Sequence, residues 1–172
     1  MRRLLPFALA AVLAGCTSAS YTETAEEVRL HVGLGGFVAP ILARYDRWEA
    51  EGKRIVIDGQ MISADAFGAF SARNACYTER AVFSPHAASE LGLIPNYAAT
   101  DRLAARLPEP LEAWFRASPA YRDWVGFAVV SYPELLEIWP EGACDPDREA
   151  ALRRWQAREA AAARANPERV DR

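Results

Sequence analysis

The chain has 172 residues, 51% of them hydrophobic and 25% charged, which suits one domain built on one core rather than several. Its formal net charge of −3 excludes the basic footprint that nucleic-acid binding requires. Two widely spaced histidines and three cysteines give no metal-ligand spacing, and no cofactor motif is present.

The first element is "MRRLLPFALAAVLAGC". Arg2 and Arg3 form a positive head, and Leu4 to Leu13 form an apolar core too short to span a membrane as a mature helix. Its end, Leu13-Ala14-Gly15-Cys16, resembles the lipobox of bacterial lipoproteins. That resemblance implies cleavage before Cys16 and lipid on its thiol; an ordinary secretory signal with an incidental cysteine is the plainer alternative. Thr17 rather than Asp follows Cys16, which under that family's sorting rule implies the outer membrane, facing the periplasm. The expected organisation is a signal peptide over 1–15, a lipidated tether over 16–27, an α/β domain over 28–145 and a charged, Ala-rich helix and tail over 146–172. Loss of Arg2 and Arg3 takes the formal charge from −3 to −5. No second apolar span follows, so the lipid on Cys16 is the one membrane attachment expected.

Cys76 and Cys144 then remain, an even pair in an oxidising compartment. They predict a disulfide that closes a long loop and stabilises the fold by about 4 kcal/mol. Two free buried thiols are the alternative.

"VRLHVG" (Val28 to Gly33) reads as a strand with Val28, Leu30 and Val32 on one face. "LGG" breaks it. Phe37 to Gly52 reads as a helix, with Pro40 tolerated in the first turn and Ile41, Tyr45 and Trp48 sharing a face. "RIVID" is a second strand, apolar throughout as a strand covered on both sides is, and it ends at a turn at Gly59. "SADAFGAFSAR" is a short helix, and "CYTERAVFS" a third strand ending at Pro85-His86. Strand and helix alternating in this way predict stacked βαβ units. Beyond His86 the chain reads as a loop to Thr100, then as helices over Asp101 to Ala117, Pro119 to Val129 and Tyr132 to Ile138, punctuated by prolines. Asp147 to Asn166 reads as an exposed terminal helix with a thin apolar edge at Leu152 and Trp155.

Acyl transfer needs a nucleophile, a base and donors for the developing oxyanion in one place. The three strand ends supply a Gly35-Gly36 turn, Ser63 near a helix N-terminus, and His86. The stretch "LGGFVAPILARYDRWEAEGKRIVIDGQMISADAFGAF…CYTERAVFSPHAA" resembles the ClpP/crotonase superfamily, closest to its small secreted bacterial ClpP-like members. The match covers Val28 to Ala88, with a weaker echo in "SYPELLEIWPEGAC". Gly36 lies 27 residues before Ser63, and Ser63 lies 23 before His86. The resemblance implies a ClpP/crotonase-like α/β fold with a helical C-terminal portion. It also implies Ser63 as nucleophile, His86 as general base, Gly35 and Gly36 as the oxyanion loop, and a Cys76–Cys144 bridge. A peptide or small acyl compound is the substrate it implies, with no cofactor; a chain exported from the cytoplasm meets little coenzyme A.

The departures are specific. Asp65 stands where that group has Cys, two residues past the nucleophile, and opposes an anionic intermediate unless it points away. Pro85 replaces a more usual residue before the histidine. No acid matches the third triad position: Asp123 is the nearest candidate and Asp101 a weaker one. Each site residue also has a plainer reading. Ser63 is a favoured N-cap residue, His86 a polar strand end, His31 a core histidine, and Gly35-Gly36 an ordinary turn. Trp114, Trp124 and Trp139 read as core. Two functions therefore stand side by side: a lipid-anchored envelope serine hydrolase, and a catalytically inactive lipoprotein that binds or builds.

Overall fold

The computed structural model describes residues 19–165; the expected signal peptide, the expected lipidation site at Cys16 and the last seven residues lie outside the described residues. Strand β1 (Ala19–Glu23) is followed by β2 (Glu27–Gly33), helix α1 (Val38–Ala50), β3 (Arg54–Ile62), α2 (Ser63–Ser71), β4 (Ala75–Tyr77) and β5 (Val82–Ser84). The sheet order is β1-β2-β3, with β4 and β5 pairing one after the other along β3. All pairings are parallel except β1 with β2. The molecule is thus a mixed α/β protein with a mostly parallel sheet.

Strand β1 occupies part of the expected tether. Its residues are partly or fully exposed, so they carry no buried alternation to betray a strand, yet they pair from Ala19 opposite Gly33 to Glu23 opposite Val28.

In α1, Ile41, Tyr45 and Trp48 are the buried face, packed with Val28, Leu30, Ile55, Ile57 and Met61 of the sheet and Phe67 and Phe70 of α2. Helices α1 and α2 lie side by side, at a separation that leaves no room for a side chain at Gly68 beside the Tyr45 ring. Apolar burial of this kind contributes about 25 cal/mol per Å² removed from water, and it clamps the sheet edge on which the site is built.

Two expectations about the strands are corrected. The second strand does not stop at Gly59: β3 runs on to Ile62 through a bulge, Leu30 pairing Ile57 but Val32 pairing Gln60. One extra residue on β3 is accommodated there, and Gly59 is required because any Cβ at that position overlaps the His31 carbonyl. The same irregularity turns Val32 outward, 38% exposed, away from the face shared by Val28 and Leu30. His31 is half-buried rather than in the core.

Past β5 come a small hairpin, β6 (Ser89–Glu90) with β7 (Ile94–Pro95), then α3 (Tyr97–Ala104) and α4 (Glu109–Ala117). The helix expected over Pro119 to Val129 is only a 3-10 turn at Pro119–Tyr121. After a bend over residues 124–126, residues 128–130 run antiparallel beside the chain that leaves β5, with paired bonds between Val130 and Phe83 and an Ala128 N–H to the Pro85 carbonyl. Helix α5 (Tyr132–Ile138) opens on a capping box of Ser131 and Glu134.

Cys76 and Cys144 form a disulfide, tying β4 to the segment after α5. The terminal helix, α6 (Arg148–Ala165), docks on its own domain: Ala151 is buried, Arg154 pairs with Asp145 and Glu79, and Arg158 donates to the Glu79 carbonyl. Among the described residues no helix is long and apolar enough to cross a membrane.

Candidate active site

Strand β3 delivers Ser63 directly from Ile62 into α2. The N-cap position is Ile62, and no side chain caps the helix. Ser63 itself has φ 55°, in the left-handed region that costs an ordinary L-residue about 1–2 kcal/mol. The plainer reading of Ser63 as an N-cap is overturned. Its hydroxyl instead meets His86, with Oγ 2.7 Å from Nε2. A strained residue at a strand-to-helix turn, with its hydroxyl aimed at an imidazole, is the geometry of an activated nucleophile.

His86 is held by its downstream neighbours. The Ala88 N–H donates to the buried Thr100 hydroxyl at 2.8 Å, and the Asn96 N–H donates to the Ala88 carbonyl at 2.7 Å. Asn96 caps α3 through its side chain, so the start of that helix fixes the segment that carries the imidazole. Phe127 stands edge-on to the ring, centroids 4.7 Å apart. Burial holds the His86 pKa below the ordinary 6.5; the Trp124 and Ala87 backbones and the Asp123 charge pull the other way. None of these reaches Nδ1 with hydrogen-bond geometry, for that nitrogen is buried without a partner among the described residues.

Neither candidate acid completes a triad. The Asp123 carboxylate accepts the Val125 N–H at 2.9 Å; that bond and one from Gly126 keep its pKa low. Its backbone carbonyl, not its side chain, bonds to the histidine segment, through the Ala87 N–H. Asp101 is on the surface, bound to Arg116 and Tyr121. Sequence order placed Asp123 near the histidine, but the turn it closes on itself takes up its oxygens.

The glycine loop divides its labour. Gly35 has φ 80° and Gly36 φ 131°, conformations open to glycine and costly for other residues. A Cβ on Gly35 would fall 2.6 Å from the Ser63 Cβ, so the loop lies against Ser63. The Gly35 N–H, however, donates to Asp65 Oδ2 at 3.0 Å and is turned away from any oxyanion. Gly36 lines the cleft, and nothing among the described residues accepts its N–H. Ala64 follows Ser63 in the first turn of α2, where N–H groups have no intrahelical acceptor. Gly36, in the cleft lining, and Ala64, next in the chain to Ser63, are the backbone donors nearest to hand for developing negative charge.

Asp65 meets the condition under which it does not oppose an anionic intermediate. It is 1% exposed, points away from the cleft, and is bound by Gly35, the Tyr45 hydroxyl at 2.9 Å and the Arg44 guanidinium. Arg44 in turn lies over the rings of Tyr21, Tyr45 and Trp48. A buried carboxylate is tolerated when paired and hydrogen-bonded in this way. Tyr45 belongs to the periodic face of α1 and Arg44 adjoins it, so a hydroxyl and a guanidinium on that helix were the available signal of a polar partner for Asp65.

The cleft has a volume of about 420 Å3 and is lined by Gly36, Phe37, Val38, Ser63, His86, Ser89, Leu91 and Gly92. Among the described residues no Asp, Glu, Lys or Arg lines it. Among the described residues no group of three or more His, Cys, Asp or Glu is placed to hold a metal ion. No family model, no curated protein and no solved structure matches this chain.

Proposed function

We propose that this chain is a lipid-anchored serine hydrolase of ClpP/crotonase-like architecture, acting on a peptide or acyl substrate from an envelope location. The observation that carries the reading is the Ser63 Oγ–His86 Nε2 distance of 2.7 Å, at a strained turn in the floor of an open cleft. In the acylation step the Ser63 oxygen attacks the substrate carbonyl carbon. His86 Nε2 takes the hydroxyl proton, and the carbonyl π electrons move to the oxygen facing Gly36 and Ala64. Collapse returns the electron pair, expels the leaving group with the proton from His86, and leaves an acyl-Ser63 ester for water to cleave. A neutral imidazole at working pH, which burial favours, is the form this base requires.

One observation favours the second reading, an inactive binding or structural lipoprotein. The tautomer that accepts from Ser63 carries its proton on Nδ1, and no carboxylate takes that proton. Reaction with a fluorophosphonate probe separates the two. Labelling of the wild type that is lost in Ser63→Ala supports the hydrolase; equal labelling of both, or none on folded protein, overturns it.

A further inference from the structure

We propose that the mouth of the Ser63–His86 cleft faces the bilayer holding the Cys16 lipid, so that the substrate carries an apolar chain and is taken from the membrane surface. The orientation rests on the lipid anchor of the proposed function and not on its chemistry; the substrate class rests on the hydrolase chemistry.

The register of β1 sets the orientation. Ala19 pairs with Gly33, and Gly33 pairs with Met61, two residues before Ser63. Ala19 therefore lies at the catalytic edge of the sheet, two strand spacings or about 10 Å from Met61. Cys16 precedes Ala19 by three residues, and three residues reach at most about 10 Å. A tether over 16–27 would have let the domain tumble; with Ala19–Glu23 paired into the sheet, the anchor is confined beside the cleft. The opposite edge, where Ala75 pairs with Ile55, is most of the nine-residue length of β3 away, about 25 Å.

The surface at that edge suits the same neighbour. Leu91 is 81% exposed and Leu93 73%, at the tip of the β6–β7 hairpin, and Ile94, Phe37 and Phe127 are each at least half exposed. Leu91 and Phe37 line the cleft itself, and Phe127 touches His86. Single exposed apolar side chains are ordinary, but a group of them around one opening marks a contact surface. A bilayer is the occupant because the chain's own anchor arrives at this edge, and an apolar tip beside a lipid anchor supplies the second attachment that stable membrane binding needs.

The test uses the full lipidated chain with Ser63→Ala, in vesicles of phosphatidylethanolamine and phosphatidylglycerol. An environment-sensitive fluorophore is attached at Leu93→Cys or, at the far edge, at Arg73→Cys. The expected result is blue-shifted emission at position 93, quenched by spin-labelled lipid, and water-like emission at 73. Water-like emission at 93 overturns the orientation. A blue shift at 93 without lipid quenching marks a second copy of the chain and overturns it too, as does a Cys16 that carries no lipid. None of these readouts needs turnover, so failure of the hydrolase reading is seen separately. For the wild type in the same vesicles, a decanoyl ester is cleaved at least about tenfold faster than an acetyl ester, as buried methylenes dictate. The reverse order, or cleavage of neither, overturns the substrate class.

Discussion

The Asp65 carboxylate accepts the Gly35 N–H across 30 residues of sequence, so the residue two past Ser63 is the strut of the glycine loop. Asp65→Ala leaves Arg44 unpaired in a setting where its side chain is only 17% exposed. The expected cost is about 3–5 kcal/mol, read as a lower midpoint in urea. At concentrations of urea where the variant remains folded, its probe labelling is also slower, because the loop loses its tie. Full stability in Asp65→Ala would remove the strut.

Gly35→Ala adds a Cβ 2.6 Å from the Ser63 Cβ and 3.1 Å from its Oγ, at φ 80°. Fluorophosphonate labelling is expected to fall far more than stability does, because the clash displaces the nucleophile at the surface of the cleft. Unchanged labelling would place the loop elsewhere in solution.

The pH dependence follows from His86. Burial lowers its folded pKa beneath 6.5, so the ring stays neutral and basic as pH falls through the ordinary histidine range. The acid limb of the labelling rate is therefore expected below pH 6.5. The stability sign is the same: the contribution is present above the unfolded pKa and is lost as pH falls through the folded one. A limb above 6.5 would contradict the burial of the ring.

Asp123→Asn tests the missing acid. Where a carboxylate holds the imidazole, its amide variant loses about 10⁴ in rate; here the loss is expected to stay below about tenfold. Asp123 also raises the His86 pKa through its charge, so the acid limb moves to lower pH in the variant. A loss near 10⁴ would mean that Asp123 leaves Val125 for Nδ1 during turnover.

Removal of the disulfide, by Cys76→Ala with Cys144→Ala, is expected to cost about 4 kcal/mol, given a separation of 68 residues. Labelling of the folded variant is unchanged, because Cys76 pairs opposite Val56, toward the far end of β3 from Ser63.

The parts legible in the sequence were those with a period or a spacing. Ile41, Tyr45 and Trp48 declared the inner face of α1, and glycine turn, serine and histidine arrived in order at successive strand ends. What stayed hidden depended on contacts between distant segments. "ASYTE" has no buried face, so only its pairing makes it a strand. Gly59 looked like a stop because glycine has no side chain to pack on a pleated surface, and the His31 carbonyl that demands it comes from another strand. The role of Asp65 stayed open because its partners, Arg44 and Gly35, lie on other elements. Val125, Phe127 and Val129 looked helical in an apolar stretch, but the Asp123 carboxylate holds Val125 in a bend and bonds to Phe83 and Pro85 draw out residues 128–130.

The backbone of Ser63 has a consequence that no substrate is needed to reveal. Glycine would occupy φ 55° at no steric cost, so Ser63→Gly is expected to melt at a higher temperature than Ser63→Ala. A chain kept only for its shape would gain by having glycine at this turn; a serine in that conformation is a standing penalty, tolerated where the hydroxyl is wanted.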